Sequence, residues 1–402
     1  MSLEQGANLV TNGLILSLDA ANVKSYSNVV QYLIVAGGGA GGSHVGGGGG
    51  GGGVLQRTTT LTTTSYSIVV GAGGTSTGAD TRGNNGQNST AFGLTAIGGG
   101  GGGTYSGLGN ANGILGGSGG GAGGTDGTTT ATGGAGTAEQ GFAGGSVGQR
   151  TGGAGDTSGA GGGGAGQAAA SRINAYDSMR RNGGDGVFSD ITGTARFFGG
   201  GGGSGSYNAR LGGNGGLGGG GGGASTASTG GLGDTNSINN ASNGGSGSAS
   251  LGGAGAANSG GGGGGGAGGS AAVSTAAGGS GIVVIRYAGP QRATGGTIST
   301  VGTDTVHTFT SSGTFAFSQA NTTYWANLSG TAGNSVLTNG VTYSSANGGS
   351  LVFDGTNDVA NSTTSIIDRT NGQEITVSCW IRPARNGGQY SVFCTNRSNV
   401  NL

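Results

Sequence analysis

This sequence is short of charge, proline, cysteine and lysine, and each shortage removes a class of protein. Only 7% of its 402 residues are charged, and 15 cations against 15 anions leave no net charge. Lysine occurs once, at Lys24, and the arginines are scattered. No basic run or stripe exists, so neither nucleic acid nor an anionic membrane is an expected partner. Two prolines and the lack of a Gly-X-Y period exclude collagen. Two cysteines, Cys379 and Cys394, cannot define a disulfide framework and are read as free thiols. No stretch approaches ~18 consecutive apolar residues, so no membrane insertion is expected. The opening Met1-Ser2-Leu3-Glu4-Gln5-Gly6 has neither a basic nor an apolar signal region, so no export signal is expected.

What the chain has instead is glycine, at 110 positions. The longest runs are 46–53, 98–103, 199–203, 218–223 and 260–266. Glycine loses the most backbone freedom on folding and brings no side chain to bury. Such a block stays disordered unless its backbone amides find one another. Two apolar segments frame it, Val29 to Val35 at the start and Gly281 to Tyr287 at the end, and both read as strands that pair. A linker needs no such clamp, so the block reads as folded. The ordered form open to it is a set of extended helices of about three residues per turn, whose amides bond sideways to neighbours. Glycine is then required because a Cβ would hold the helices apart.

Alternating segments mark further strands: Ser65 to Val70, Ala91 to Ile97, Thr305 to Phe309 and Thr314 to Phe317. One segment reads as a helix, Gln167 to Arg181. It lacks glycine, repeats Ile173, Tyr176 and Met179, and ends at Asn182-Gly183, a plausible C-cap. From about Ser318 the composition becomes ordinary. The fold class is therefore mainly β, with the domains at 1–28, 29–317 and 318–402. The middle one is a glycine-rich helix lattice of polyglycine-II type, framed by short strands.

Several patterns imitate chemistry. Residues 116–120 satisfy G-x-S-x-G, but a chain this rich in glycine meets that pattern by chance. A phosphate loop needs a lysine that is absent, and a serine triad or zinc site needs more than His44 and His307. No catalytic residue and no enzyme are expected. Asp354, Asn357 and Asp358 gather oxygen ligands suited to Ca²⁺, although such a cluster is more often a β-turn. No other cofactor is expected.

Residues 10–20 together with 324–330, 347–358 and the strand Ile375 to Ile381 resemble a laminin-G or concanavalin-like jelly roll of phage virion proteins. About 300 residues separate its two parts, which implies that the glycine block is inserted into one of its loops. The resemblance implies that the jelly roll is incomplete at Leu402. The insert itself, with Tyr32 to Gly39, Val69 to Gly74, Ser280 to Tyr287 and Phe309 to Phe315, resembles the glycine-rich domain of phage tail-fibre adhesins. The resemblance implies a virion surface protein that attaches to a host glycan or outer-membrane receptor, with other virion proteins as partners and a homotrimer as one arrangement. Binding would use loop side chains at the ends of the lattice. Tyr176, Arg180, Arg181, Phe188, Arg196, Phe197, Phe198 and Tyr207 supply the aromatic and arginine groups that suit sugars. A plug capping one lattice end is their other use. Alternatives are a structural capsid or tail decoration protein and a bacterial surface adhesin.

Overall fold

The computed structural model describes residues 29–317, except 62–64, 76–77, 79, 127–128, 150–157, 172–180, 209, 248–249, 269–275 and 290. Beyond them it describes short strands at 324–325, 335–338, 342–344, 350–352 and 359–362. The strands of the first part are β1 Val29–Val35, β2 Val54–Thr60, β3 Ser65–Ile68, β4 Ser89–Ala91, β5 Leu94–Ala96 and β6 Val187–Ser189. They continue as β7 Arg196–Phe198, β8 Ile282–Ala288, β9 Ala293–Thr294, β10 Thr297–Val301, β11 Asp304–Phe309 and β12 Gly313–Phe317. A single 3₁₀ turn, Ser106–Leu108, is the only helical element among the described residues. The protein is mainly β.

The central sheet has the order β10-β11-β8-β1-β2, and every pairing is antiparallel. The two framing segments lie side by side in it, with Val35 opposite Ile282 and Gln31 opposite Arg286. Both faces are covered. Val30, Tyr32, Ile34, Val283 and Ile285 pack with Ile68, Phe309 and Phe315 on one face. Leu33, Val35, Ile282 and Val284 pack with Ile191, Phe198 and Val306 on the other. That is why Tyr32 to Val35 and Ile282 to Ile285 are continuously apolar rather than alternating. A smaller sheet, β3-β12-β9, closes the first core.

Three strands of the central sheet run on into glycine without breaking their pairing. Ala36 donates to Gly53 O, and Gly38 to Gly279 O. Beyond them the pairing becomes three-dimensional. The amides of Gly47, Gly48 and Gly49 donate to Gly103, Ala160 and Gly263, and those of Gly50, Gly51 and Gly52 donate to Gly100, Gly163 and Gly260. The same three neighbours recur every third residue. The carbonyls of this run receive the amides of three others: Gly39 and Gly42, Ser118 and Gly121, Gly202 and Gly205. Run 46–53 thus has six hydrogen-bonded neighbours and is wholly buried. A repeat of three is what an extended helix of about three residues per turn presents to its surroundings. A side chain has no place there. A Cβ on Gly48 would lie 2.0 Å from Gly202 O, and one on Gly51 would lie 2.0 Å from Gly199 O.

The helix expected at Gln167 to Arg181 is not what its described parts adopt. Gln167 to Ser171 and Arg181 are non-helical and serve the glycine array. Gln167 O accepts from Gly164, Ala169 donates to Ala143 O, and Ser171 Oγ accepts from Ser146 N. Helix propensity is worth only tenths of a kcal/mol per residue, less than the amide partners that the array supplies. Residues 1–28, Phe353, Trp380, Cys379 and Cys394 lie outside the described residues. So do the calcium candidates Asp354, Asn357 and Asp358.

Candidate functional site

Successive runs of the array travel in alternate directions, so their connections collect at two ends. At the strand end, Val35, Val54 and Ile282 lead into or out of the runs. At the far end the chain turns through Ser43, His44 and Val45. The ladders assign the other connections. Gly202 and Gly205 donate to Gly49 and Gly46, so run 199–206 ends at the far end, where Tyr207 follows. Gly124 donates to Val45 O, which places Thr125 and Asp126 there as well. Ring contact between His44 and Tyr105 (5.7 Å) and the 3.4 Å pair of His44 Nδ1 with Asp80 bring in 105–110 and the loop before Gly83.

The eight predicted binding residues do not form one site. Phe188 and Phe197 face each other across the β6–β7 hairpin at the strand end, with rings 5.7 Å apart and edge to face. Phe188 is 52% exposed. Arg196 lies beside them and donates through Nη1 to Ser237 O. Phe198 departs from the expectation, because it points the other way on its strand and is buried in the core. Tyr207 is exposed at the opposite end. Run 199–206 separates it from the hairpin by about 25 Å, at roughly 3.1 Å per residue. Arg181 is also a correction. It is buried near the far end and donates to Ser158 Oγ at 3.2 Å, so it supports the array instead of facing solvent. Tyr176 and Arg180 lie outside the described residues.

The far end holds groups that the sequence did not single out. His44 and Val45 adopt positive φ (49° and 57°), uncommon for any side chain and strained for a β-branched one. Serines and a threonine mark the level at which runs leave the array. Ser206 Oγ and Ser225 Oγ both donate to Arg210 O, while Ser43 Oγ bonds Thr104 Oγ1 and donates to Thr81 O. Ser158, Ser206, Ser225 and Ser246 are bridged in a row. Beside that row Thr226, Ser228, Thr229 and Ser246 line an open hollow of about 610 Å³. Tyr207 and Arg210 lie on the connection that leaves this row, and Tyr105 and Arg82 lie on other connections at the same end.

A family model described as a glycine-rich domain matches residues 18–249. The chain belongs to this glycine-rich domain family. The match begins before β1 and ends within the connection after run 241–247, while the array continues to Gly281. No curated protein matches the chain.

One buried cluster in this glycine-rich domain protein has residue types that often carry catalysis. Tyr287 Oη lies 2.9 Å from His307 Nε2 and accepts from the amides of Arg292 and Ala293. His307 Nδ1 is 2.7 Å from Gly295 O, so it carries the proton and Nε2 accepts from tyrosine. Burial pushes the His307 pKa below its ordinary 6.5, against the opposing hydrogen bond to Gly295. Burial likewise raises Tyr287 and lowers Arg292, which stacks 4.6 Å over the Tyr287 ring, to about 10. His307 is fully buried and its bonds hold the turn after β8, which leaves no face for a substrate. Among the described residues, no group of three His, Cys, Asp or Glu side chains lies close enough to hold a metal, and no helix is long and apolar enough to cross a membrane.

Proposed function

We propose that the chain is a phage virion surface protein, a tail-fibre or receptor-binding adhesin, which attaches to host surface glycans through the far end of its glycine array and without catalysis. The observation that carries this reading is the separation of labour between array and loops. The amides of Gly46 to Gly52 all donate to neighbouring runs, so the centre of the array is held by its own backbone. Those connections carry Tyr105, Tyr207, Arg82, Arg210 and the hydroxyl-lined hollow, groups that suit sugar rings and hydroxyls. In this reading a jelly roll made of 1–28 and 318–402 joins the array to the particle, Asp354, Asn357 and Asp358 supply any calcium site, and the assembled fibre is a homotrimer.

A glycan-array screen of the full chain tests it. Tyr105→Ala and Tyr207→Ala should each weaken binding about tenfold, or about 1.4 kcal/mol. A second reading, a capsid or tail decoration protein, draws on the half-exposed Phe188–Phe197 pair at the strand end, which suits a protein contact. If Phe188→Ala abolishes attachment to particles while no glycan is bound, the decoration reading replaces the adhesin.

A further inference from the structure

An array of this kind has no natural boundary. Each outer run presents amides that, in a larger array, would donate to a further run. In this chain several of those amides are taken by side chains. The amide of Thr132 donates to Asn112 Oδ1 at 2.9 Å, and Thr132 O accepts from the next residue, Gly113. Asn182 and Gly183 hold Asn214 in the same two-point way, and Asp185 and Gly186 hold Leu217. Asn214 and Gly215 repeat it on Leu232. Four Asx-Gly pairs therefore grip both polar groups of one residue on the adjoining run. Asn182 and Asp185 lie three residues apart, as do their partners Asn214 and Leu217, in step with the array repeat.

Elsewhere the glycine is engaged differently and the side chain still covers the amide. Asn88 and Asn85 accept from Gly98 and Gly101, again three apart, and Asn85 Nδ2 also donates to Leu115 O. Asn243 accepts from Gly233. A carboxamide is a peptide group on a short stalk, so it reproduces the donor and acceptor of a missing neighbour. The Asn182-Gly183 pair, which sequence suggests as a helix cap, belongs to this set.

We propose that these Asn and Asp side chains terminate the glycine array, standing in for an absent outer run and closing its sides against a second copy of this chain. The ligand class that the uncapped edge accepts is an extended glycine backbone. The principle matches that of a sheet edge, where unpaired amides act as a template for another strand.

The test uses the full chain carrying Asn214→Ala with Asn243→Ala, which uncaps the adjacent amides of Leu232 and Gly233. Hydrogen exchange at those two amides should accelerate at least tenfold while run 46–53 keeps its protection. The variant should also capture fluorescent hexaglycine and self-associate beyond the wild type in sedimentation. Asn85→Ala with Asn88→Ala gives the same readout at Gly98 and Gly101, should the first variant fail to fold. Unchanged exchange at the uncapped amides overturns the proposal. So does faster exchange with neither hexaglycine capture nor added self-association. In the unsubstituted chain, random-coil exchange at Leu232, Gly233, Gly98 and Gly101 overturns it directly.

Discussion

Replacing Gly49 by alanine adds one methyl group at the centre of the array. The new Cβ would lie 2.1 Å from Gly39 O and 2.6 Å from Gly39 C, where ordinary contact begins at 3.4 Å. Runs 36–42 and 46–53 would have to part by about 1.3 Å, the difference between those distances. Three bonds span that seam, Gly42 N to Gly47 O, Gly39 N to Gly50 O and Ala36 N to Gly53 O. The middle one, at 2.8 Å, would stretch beyond any useful length. Run 46–53 cannot step aside, because five other runs hold it. Two buried groups lose their partners at about 1–3 kcal/mol each, so the substitution should cost about 4 kcal/mol. That is a large share of the 5–15 kcal/mol that typically separates folded from unfolded chains.

The matched control is Gly78→Ala. Nothing lies within 4 Å of a Cβ there, and its φ is outside the left-handed region. It should be neutral or stabilising by about 0.4–1 kcal/mol through the unfolded chain. Calorimetry and urea unfolding of both variants give the comparison, with exchange of residues 36–53 as a local probe. Stabilities within about 0.5 kcal/mol of each other would refute the claim that glycine is required there for close backbone approach.

Two further outcomes concern the cluster behind β8. Tyr287→Phe removes the hydroxyl that serves His307 and the amides of Arg292 and Ala293, and leaving those groups unmet should cost about 2–4 kcal/mol in urea unfolding. His307 is held neutral in the fold, with its pKa depressed below 6.5, so the unfolded chain takes up the proton first as pH falls. Its contribution is therefore intact above pH 6.5 and is lost on acidification through the folded pKa. Unfolding midpoints measured from pH 7.5 to 5 should fall for the natural chain and flatten in His307→Gln.

The strand frame was legible because its signal is local. Tyr32 to Val35 and Ile282 to Ile285 are apolar on both faces, and the structure buries both faces. Ala91 to Ile97 departs from its reading as one alternating strand: the chain turns at Phe92-Gly93, and only Leu94 to Ala96 forms a strand, paired back on Ser89 to Ala91. The need for lateral amide partners followed from composition alone. Residues that depend on which runs are neighbours were not legible. Asn182 was read against its own segment, yet its partner is Asn214, 32 positions on. The candidate binding residues are neighbours in sequence, but the eight residues of run 199–206 carry the chain from one end of the array to the other. Phe198 and Tyr207 thus parted company. Counting reversals predicts which end a loop reaches, and that count needs every turn to be known.

The two ends also differ in what a substitution there disturbs. At the strand end the connections are tied into the scaffold. Gln140 accepts from Ile97 and donates to Thr95 O, and Asp234 takes the amides of Gly218 and Gly219. Changing either side chain strips partners from buried backbone. At the far end the anchoring hydroxyls sit at the exit level, on Ser43, Thr104, Ser206 and Ser225, and the residues beyond them, such as Gly78, Gly107 to Asn110 and Thr226 to Ser228, lie mostly toward solvent. Side chains there can change while the array's inter-run bonds stay in place, because the loops serve the array through backbone groups, as where Asn110 O accepts from Thr104. A scaffold whose stability resides in backbone pairing, and whose variable side chains lie past a fixed row of hydroxyls, can alter what it recognises while keeping its fold. That freedom is available at one end only, the end to which we assign attachment.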